Sequence, residues 1–328
     1  MDKYTPPYDI NDEMLELVSE IMENLGKLSS VNELERIPKL RKVNRIRSIH
    51  SSLAIENNTL SIEQVTDLIN GKRVLGPKKD IIEVNNANLA YAKLNKINPY
   101  SIKELLLTHE IMMDGLVNQA GKFRSGKVGV FNEKNEIVHL APPEDLVPNL
   151  INQLFDWIKT SNANMLIKSS VFHYEFEFIH PFNDGNGRMG RLWQTALLAS
   201  WKPIFAWVPI ESIIRDNQED YYKSITLSTS QGKSNVFILF MLNVINKAIK
   251  DIITDSRNHN NHLNNQITKL MKVMESYPQS ASELMKKLNL KSRDGFRKNY
   301  IQPSLEAGLI GMTDPNKPTS RNQKYFKV

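Results

Sequence analysis

Apolar residues at Ile10, Met14, Leu17, Val18, Ile21 and Leu25 recur every three to four positions, which predicts an amphipathic helix opened near Asn11 or Asp12. The same rhythm predicts helices over 38–55, 61–70, 80–95, 101–116, 144–160, 166–179, 191–200 and 236–252, the last strongly apolar. Ser61, with Gln64 three positions on, has the spacing of a capping box at the start of one of them. Over 121–143 the texture changes to glycines and β-formers around an Asn-Glu-Lys-Asn turn. Residues 128–131 and 137–140 read there as the two strands of a hairpin, which Pro142 and Pro143 end. The fold class predicted is mainly α, with one hairpin set into a helical body.

From Ser256 onward both pattern and charge change. Residues 259–265 are polar and Asn/His-rich, and read as a linker or a helix extension. His259 and His262 have no third ligand near them in sequence, so they are read as solvated residues and not as a metal site. Further on, Ser280 caps a short helix, a turn follows near Asn289, and Ser292 opens a second helix. Residues 303–307 give a third, before Gly308-Leu309-Ile310 and a terminal K-Y-F-K-V, an order that resembles a winged helix-turn-helix. Residues 256–328 hold 13 Lys+Arg against 5 Asp+Glu, whereas 1–255 hold 29 against 31. The net charge of +6 thus belongs to the C-terminal part, which points to an acidic partner there, DNA or protein.

The chain has no cysteine, which excludes disulfides and thiolate metal sites. Its start, M-D-K-Y-T-P-P-Y, lacks the apolar core of a secretory signal. The longest apolar run, 236–242, is far short of the roughly 20 residues a membrane span needs. A cytoplasmic protein with no membrane contact is expected, and a homo-oligomer is left open.

The most chemical stretch is 180–191, H-P-F-N-D-G-N-G-R-M-G-R, which runs directly into the apolar residues Leu192, Ala196, Leu197 and Leu198. A Gly-rich turn opening a helix leaves backbone N–H groups free at the positive end of the helix dipole, which suits phosphate. Arg188 and Arg191, three apart, project from one side of the first turns, and guanidinium forks match phosphate oxygens. Asp184 lies just ahead of the turn, where a carboxylate can hold Mg²⁺ against those phosphates. His180 can act as general base near neutral pH.

This stretch resembles the signature H-P-F-x-[DE]-G-N-G-R-x-x-R of the Fic/Doc family, and fits it at every fixed position. The resemblance covers roughly 85–250. It implies an all-helical Fic core with a hairpin flap, and the transfer of AMP from ATP to a hydroxyl side chain (Ser, Thr or Tyr) of a target protein or of the enzyme itself, with release of pyrophosphate. His180 would deprotonate the hydroxyl, Pro181 and Phe182 would fix the loop, and Asp184 would bind Mg²⁺. Gly185, Asn186 and Gly187 would cradle the α- and β-phosphates, Arg188 would stabilise the leaving pyrophosphate, and Arg191 would hold the γ-phosphate. Met189 and Gly190 are counted with the same ATP site. Val128, Gly129, Val130 and Phe131 would form the flap strand that covers the nucleotide and captures an extended segment of the target. Tyr221 and Tyr222 resemble a pair that lines the adenine pocket. His50, His109, His139 and His173 are expected to pack or hydrogen-bond locally. The intact G-N-G-R turn separates this chain from the kinase-like relatives, whose turn is altered.

Residues 52–57, S-L-A-I-E-N, match the inhibitory pattern [ST]-x-x-x-E-[GN] of self-restrained Fic proteins. Ser52, Glu56 and Asn57 would then belong to an N-terminal inhibitory helix that blocks productive ATP binding through Arg191. The expected division is 1–84 for a helical region with this motif, 85–255 for the Fic core and 256–328 for the winged-helix-like domain. Two other readings stand beside the self-inhibited transferase. One is a DNA-binding regulator whose Fic core senses nucleotide; the other is a two-way enzyme that also removes AMP.

Overall fold

The structure, a computed structural model, describes the backbone of residues 4–30, 38–126, 129–131 and 137–328, and their side chains outside 29–30, 38–40, 129–131, 137–140 and 256–264. The chain divides into two compact units, Met1–Ile252 and Ile253–Val328.

The first unit is helical, as expected. Helix α1 (Asp12–Ser30) opens where the pattern placed it, with Asn11 Oδ1 accepting from the Met14 N–H at 2.9 Å. Met14, Ile21 and Leu25 are buried, whereas Ile10 lies before the helix and stays exposed. Helix α2 (Pro38–Ile55) is followed by α3 (Ile62–Ile69), which begins with the anticipated capping box between Ser61 and Gln64. Helices α4 (Lys78–Ala92) and α5 (Ile102–Met113) are both shorter than their patterns suggested. Residues Leu94–Lys96 tighten into a 3₁₀ turn, and the chain after Met113 turns away.

Strands β1 (Gly129–Phe131) and β2 (Ile137–Leu140) pair antiparallel, Gly129 opposite Leu140 and Val130 opposite His139, with a bulge between Val130 and Phe131. Val128 and the predicted turn lie outside the described residues. Helices α6 (Val147–Thr160), α7 (Met165–Ile179) and α8 (Asn186–Trp201) follow. Nearly all of α7 is buried, Lys168, His173, Glu175 and Glu177 included, so it lies at the centre of the fold. Phe172, Phe155 and Trp193 pack ring to ring between α6, α7 and α8, with centroids 5.5 and 6.3 Å apart. Each such fully buried side chain contributes about 1.5–3 kcal/mol.

Helices α9 (Ile210–Asp216), α10 (Gln218–Gln231) and α11 (Asn235–Val273) complete the run. Helix α11 carries straight through 259–265, so that polar stretch is a helix extension and not a linker. No helix among the described residues is long and apolar enough to cross a membrane.

In the second unit, strand β3 (Gln279–Ser280) leads into α12 (Ala281–Lys287), where Ser280 and Glu283 form a second capping box. Asn289 takes a positive φ of 54° at the turn, and Ser292 caps α13 (Arg293–Phe296). Helix α14 (Gln302–Glu306) precedes strands β4 (Ile310–Met312) and β5 (Lys324–Lys327). The sheet runs β3-β5-β4, all antiparallel, with Gln279 opposite Tyr325 and Ile310 opposite Lys327. Leu270, Leu284, Phe296, Ile301, Ile310 and Tyr325 form its core.

Candidate active site

The first unit builds a site around the junction of α7 and α8. His180 ends α7 at φ 50° and ψ 62°, left-handed backbone that costs a side-chain-bearing residue about 1–3 kcal/mol. The surrounding contacts hold it there. The Arg124 Nε donates to the His180 carbonyl at 2.7 Å, its Nη2 donates to the carbonyls of Ile179 and Pro142, and its backbone N–H donates to the Pro181 carbonyl at 2.9 Å. One buried guanidinium therefore fastens the histidine loop to the base of the hairpin.

The loop closes on itself. The Phe182 N–H donates to Asn186 Oδ1 at 2.9 Å, and Asn186 Nδ2 donates back to the Phe182 carbonyl at 2.8 Å. The buried Phe182 ring stacks on His109 with centroids 3.6 Å apart and planes 9° from parallel. His109 Nδ1 accepts from the Gly121 N–H at 2.9 Å, so its Nε2 carries the proton and donates to the Asp184 carbonyl at 3.0 Å. Burial lowers the His109 pKa from 6.5 to about 4, and the imidazole stays neutral.

The sign of the resulting pH effect follows directly. Below pH 6.5 the unfolded chain protonates this residue, while the folded chain does not until about pH 4. Its contribution to stability is complete above pH 6.5 and lost as pH falls toward 4. Urea unfolding of wild type and His109→Phe at pH 7 and pH 4 is expected to show the difference between them shrink by roughly 3 kcal/mol. A pH-independent difference would contradict the neutral, buried assignment.

Gly185 sits at φ 85°, and a Cβ there would meet Met113 Sδ at 2.7 Å, so geometry and space both demand glycine. It caps α8 with no side-chain acceptor on the first N–H groups, which leaves the helix start to an external anion. Arg188, buried, is held by two carboxylates: Glu83 Oε1 at 3.1 Å and Asp184 Oδ1 at 2.9 Å. Glu83 Oε2 in turn accepts from Asn58 Nδ2 at 2.8 Å. Asp184 remains half exposed at the rim of the turn.

Arg191 is 2% exposed and meets the end of α2. Its Nε donates to Ser52 Oγ at 3.1 Å, and its Nη2 donates to the Ser52 carbonyl at 3.0 Å and to Glu56 Oε1 at 2.7 Å. Burial alone would lower its pKa, but the Glu56 carboxylate together with Tyr221 and Tyr222 raises it and holds the guanidinium charged. The same Oε1 lies 2.5 Å from where a Cβ of Gly187 would be, so the Glu56 carboxylate covers the first turn of α8. Asn57 follows at φ 64°, the left-handed position that ends a helix and favours Gly or Asn.

The remaining predicted site residues are placed as follows. Met189 is fully buried, and Gly190 abuts Glu177 Oε1 and His173. Tyr221 is a core residue whose hydroxyl bonds His173 Nε2 at 3.1 Å, and Tyr222 packs on its ring at 5.3 Å, less buried. Gly129, Val130 and Phe131 form β1, while Val128 lies outside the described residues. His109 and His173 do hydrogen-bond locally, as expected. Sequence reasoning missed Arg124, Glu83 and Glu177. Arg124 had a faint signal, as one of three basic residues, with Lys122 and Lys127, just ahead of the hairpin. Glu177, buried behind Gly190, is pushed up to about 8, chiefly by burial.

The Fic/DOC family matches residues 99–198, and the C-terminal domain of the Filamentation induced by cAMP protein Fic-like group matches 265–326. A crystal structure of a Fic family protein from Desulfovibrio desulfuricans G20 is 43% identical and superposes with a TM-score of 0.76, covering 99% of this chain and 98% of that one. The chain is also 28% identical to the protein adenylyltransferase Fic of Nematostella vectensis, over 61% of its own length and 47% of the relative's. It is 32% identical to a probable protein adenylyltransferase of Aquifex aeolicus, over 45% of each. The chain thus spans less than half the length of these two adenylyltransferases.

Proposed function

This chain belongs to the Fic family, and from that membership we propose that it transfers AMP from ATP to a hydroxyl side chain of a target protein, and that the end of α2 restrains it. The observation that carries the reading is the Glu56 carboxylate, bonded to Arg191 and lying over the first turn of α8, where the phosphates belong. His180 takes the proton from the attacking hydroxyl. The oxygen then bonds the α-phosphorus, the bond from that phosphorus to the bridging oxygen breaks, and pyrophosphate leaves with the electron pair. The N–H groups at the start of α8 bind the α- and β-phosphates. Arg188 balances charge on the leaving group, and Arg191 grips the γ-phosphate once Glu56 lets go. The target segment adds along β1 by main-chain pairing. The winged-helix-like unit, with its excess of basic residues, supplies a separate contact to an acidic partner.

Mg²⁺ fits Asp184, whose half-exposed carboxylate stands at the rim of the phosphate turn. Among the described residues no group of three or more His, Asp or Glu could hold an ion without help, so phosphate oxygens must complete the shell. The ion would screen the phosphate charge. Asp184→Ala is expected to raise the Mg²⁺ concentration for half-maximal transfer by about tenfold or more. An unchanged Mg²⁺ profile would make Asp184 structural, as a partner of Arg188 only. The reading as a whole is tested by incubating the protein with ATP labelled at the α-phosphate and candidate substrates. Label must appear on protein from α-labelled ATP, and must not appear there when the ATP is labelled at the γ-phosphate instead.

A further inference from the structure

The chain leading into the hairpin runs alongside the histidine loop over 119–124. Asn183 Nδ2 donates to Gln119 Oε1 at 3.0 Å, the Phe123 ring packs on Phe182 with centroids 5.8 Å apart, and the Arg124 N–H donates to the Pro181 carbonyl. Arg124 then turns its side chain into the junction and is 3% exposed. Among the described residues its guanidinium meets carbonyls alone, from three separate stretches of chain. Nη1 donates to Gly126 at 2.9 Å, shortly before β1 begins, and Nη2 donates to Pro142, shortly after β2 ends. Nε and Nη2 donate to His180 and Ile179, at 2.7 and 3.3 Å, where α7 ends.

Each contact has a local reason. The last carbonyls of a helix have no N–H left within it, and a cation there complements the negative end of the dipole. A helix that ends in left-handed backbone normally carries Gly or Asn at that position, yet this one carries a histidine at φ 50°. Strain of this kind persists only where the surrounding structure imposes it, and it clusters where function requires a fixed geometry. The carbonyl of the strained residue is the one that takes the Arg124 Nε. A planar fork reaches carbonyls in several directions at fixed angles, which lysine cannot do.

We propose, on the reading of His180 as the base and β1 as the target strand, that Arg124 is a positioning residue for the transfer. It binds both feet of the hairpin to the backbone of His180, so that the strand receiving the target and the base taking its proton keep one geometry. With its donors turned to carbonyls, the guanidinium has no part in the chemistry itself. Its contribution is to distance. A target segment paired along β1 has its hydroxyl placed relative to that strand, and the imidazole must stand within hydrogen-bond reach of it. Loosening either foot lets that distance wander, and about 1 Å is enough to cost on the order of 10²-fold in rate. The phosphate turn is fixed separately, by Asn186 on Phe182 and by two carboxylates on Arg188, so ATP binding does not depend on this anchor.

The test compares the full chain carrying Glu56→Gly with the same chain also carrying Arg124→Lys, in which one ammonium on a flexible stem replaces the fork. Lysine is expected to lower kcat for transfer on the order of 10²-fold, while KM and the dissociation constant for ATP stay within about twofold. An unchanged kcat would overturn the proposal. A fall in kcat matched by an equal loss of ATP binding would overturn it too, because a residue that merely holds the fold together damages both. The second measurement needs neither turnover nor a variant. Amide hydrogen exchange of the wild-type chain is expected to show 129–131 and 137–140 opening together with Arg124 and Phe182, at one common opening free energy. Hairpin amides that open independently of those two would overturn the coupling, even if Arg124→Lys fails to fold. Absence of labelled protein from every preparation would sink the transfer reading alone, and the exchange pattern would still decide whether hairpin and loop are joined.

Discussion

Replacing His180 with alanine is expected to abolish AMP transfer while ATP still binds. A positioned general base contributes roughly 10²–10⁴-fold to a proton-transfer step, and alanine offers the attacking hydroxyl no acceptor. The proposed phosphate site is built from other parts: the N–H groups at the start of α8, Arg188 and Arg191. The loop itself is held through backbone atoms, by Arg124 on the carbonyls of Ile179, His180 and Pro142 and by Asn186 on Phe182. The imidazole can therefore be removed with little loss of architecture. Alanine at φ 50° retains the backbone strain, so the stability change is small in comparison. The check is transfer of label and equilibrium binding of ATP on the same preparation. Full transfer by the variant would remove His180 from the chemistry. Loss of both transfer and binding would make it a structural residue.

Glu56→Gly is expected to raise transfer on the order of 10²-fold, self-modification included, because a misplacement of about 1 Å at the reacting centre carries a penalty of that size. On the proposed reading, Glu56 Oε1 and an incoming γ-phosphate would compete for the same Arg191 fork, and the carboxylate would repel a polyanion besides. Activation should come with a loss of stability. Arg191 is buried, and without Glu56 it keeps only the Ser52 contacts. An unpaired buried charge costs about 1–3 kcal/mol, somewhat less here because Glu56 is partly exposed. ATP should restore that loss in the variant by binding where the carboxylate was. The Glu56→Gly/Arg191→Ala double variant should be silent. Equal rates in wild type and Glu56→Gly would leave Glu56 an ordinary helix-end carboxylate.

The helical body was legible because its elements carry strong 3.6-residue periodicity, and the phosphate turn because its chemistry is written in consecutive residues. Glu56 could be matched to Arg191 from sequence only through the motif, since 135 positions separate them. Contacts without such a local signature stayed hidden. Arg124 acts through carbonyls 18 and 55–56 positions away, and Glu83 pairs with Arg188 across 105. Nothing in the periodicity of α4 marks a buried carboxylate as a site residue. The polar stretch in α11 left linker and helix extension both open, and the structure takes the second. Asn and His are weak helix formers, yet a helix already propagating adds each residue cheaply, so it passes through them.

The anchoring of α2 constrains how Arg191 can be freed. Asn44 Nδ2 donates to the Trp207 carbonyl at 3.0 Å, Ser48 Oγ donates to Glu211 Oε2 at 2.7 Å, and Ser51 meets Ser212 at 3.1 Å. Ile49 is buried between these contacts, and Leu53 and Ile55 are buried just after them. Swinging the whole helix aside would sacrifice all of them together, a disruption on the scale of global unfolding. Only the stretch beyond the buried Ile55, Glu56 to Asn58, lies outside this packing and can yield alone. On the proposed restraint, release would then be a local fraying of these few residues and not a movement of the whole helix. Amide hydrogen exchange would register the distinction, with 44–55 protected to the global limit and 56–58 opening far more often.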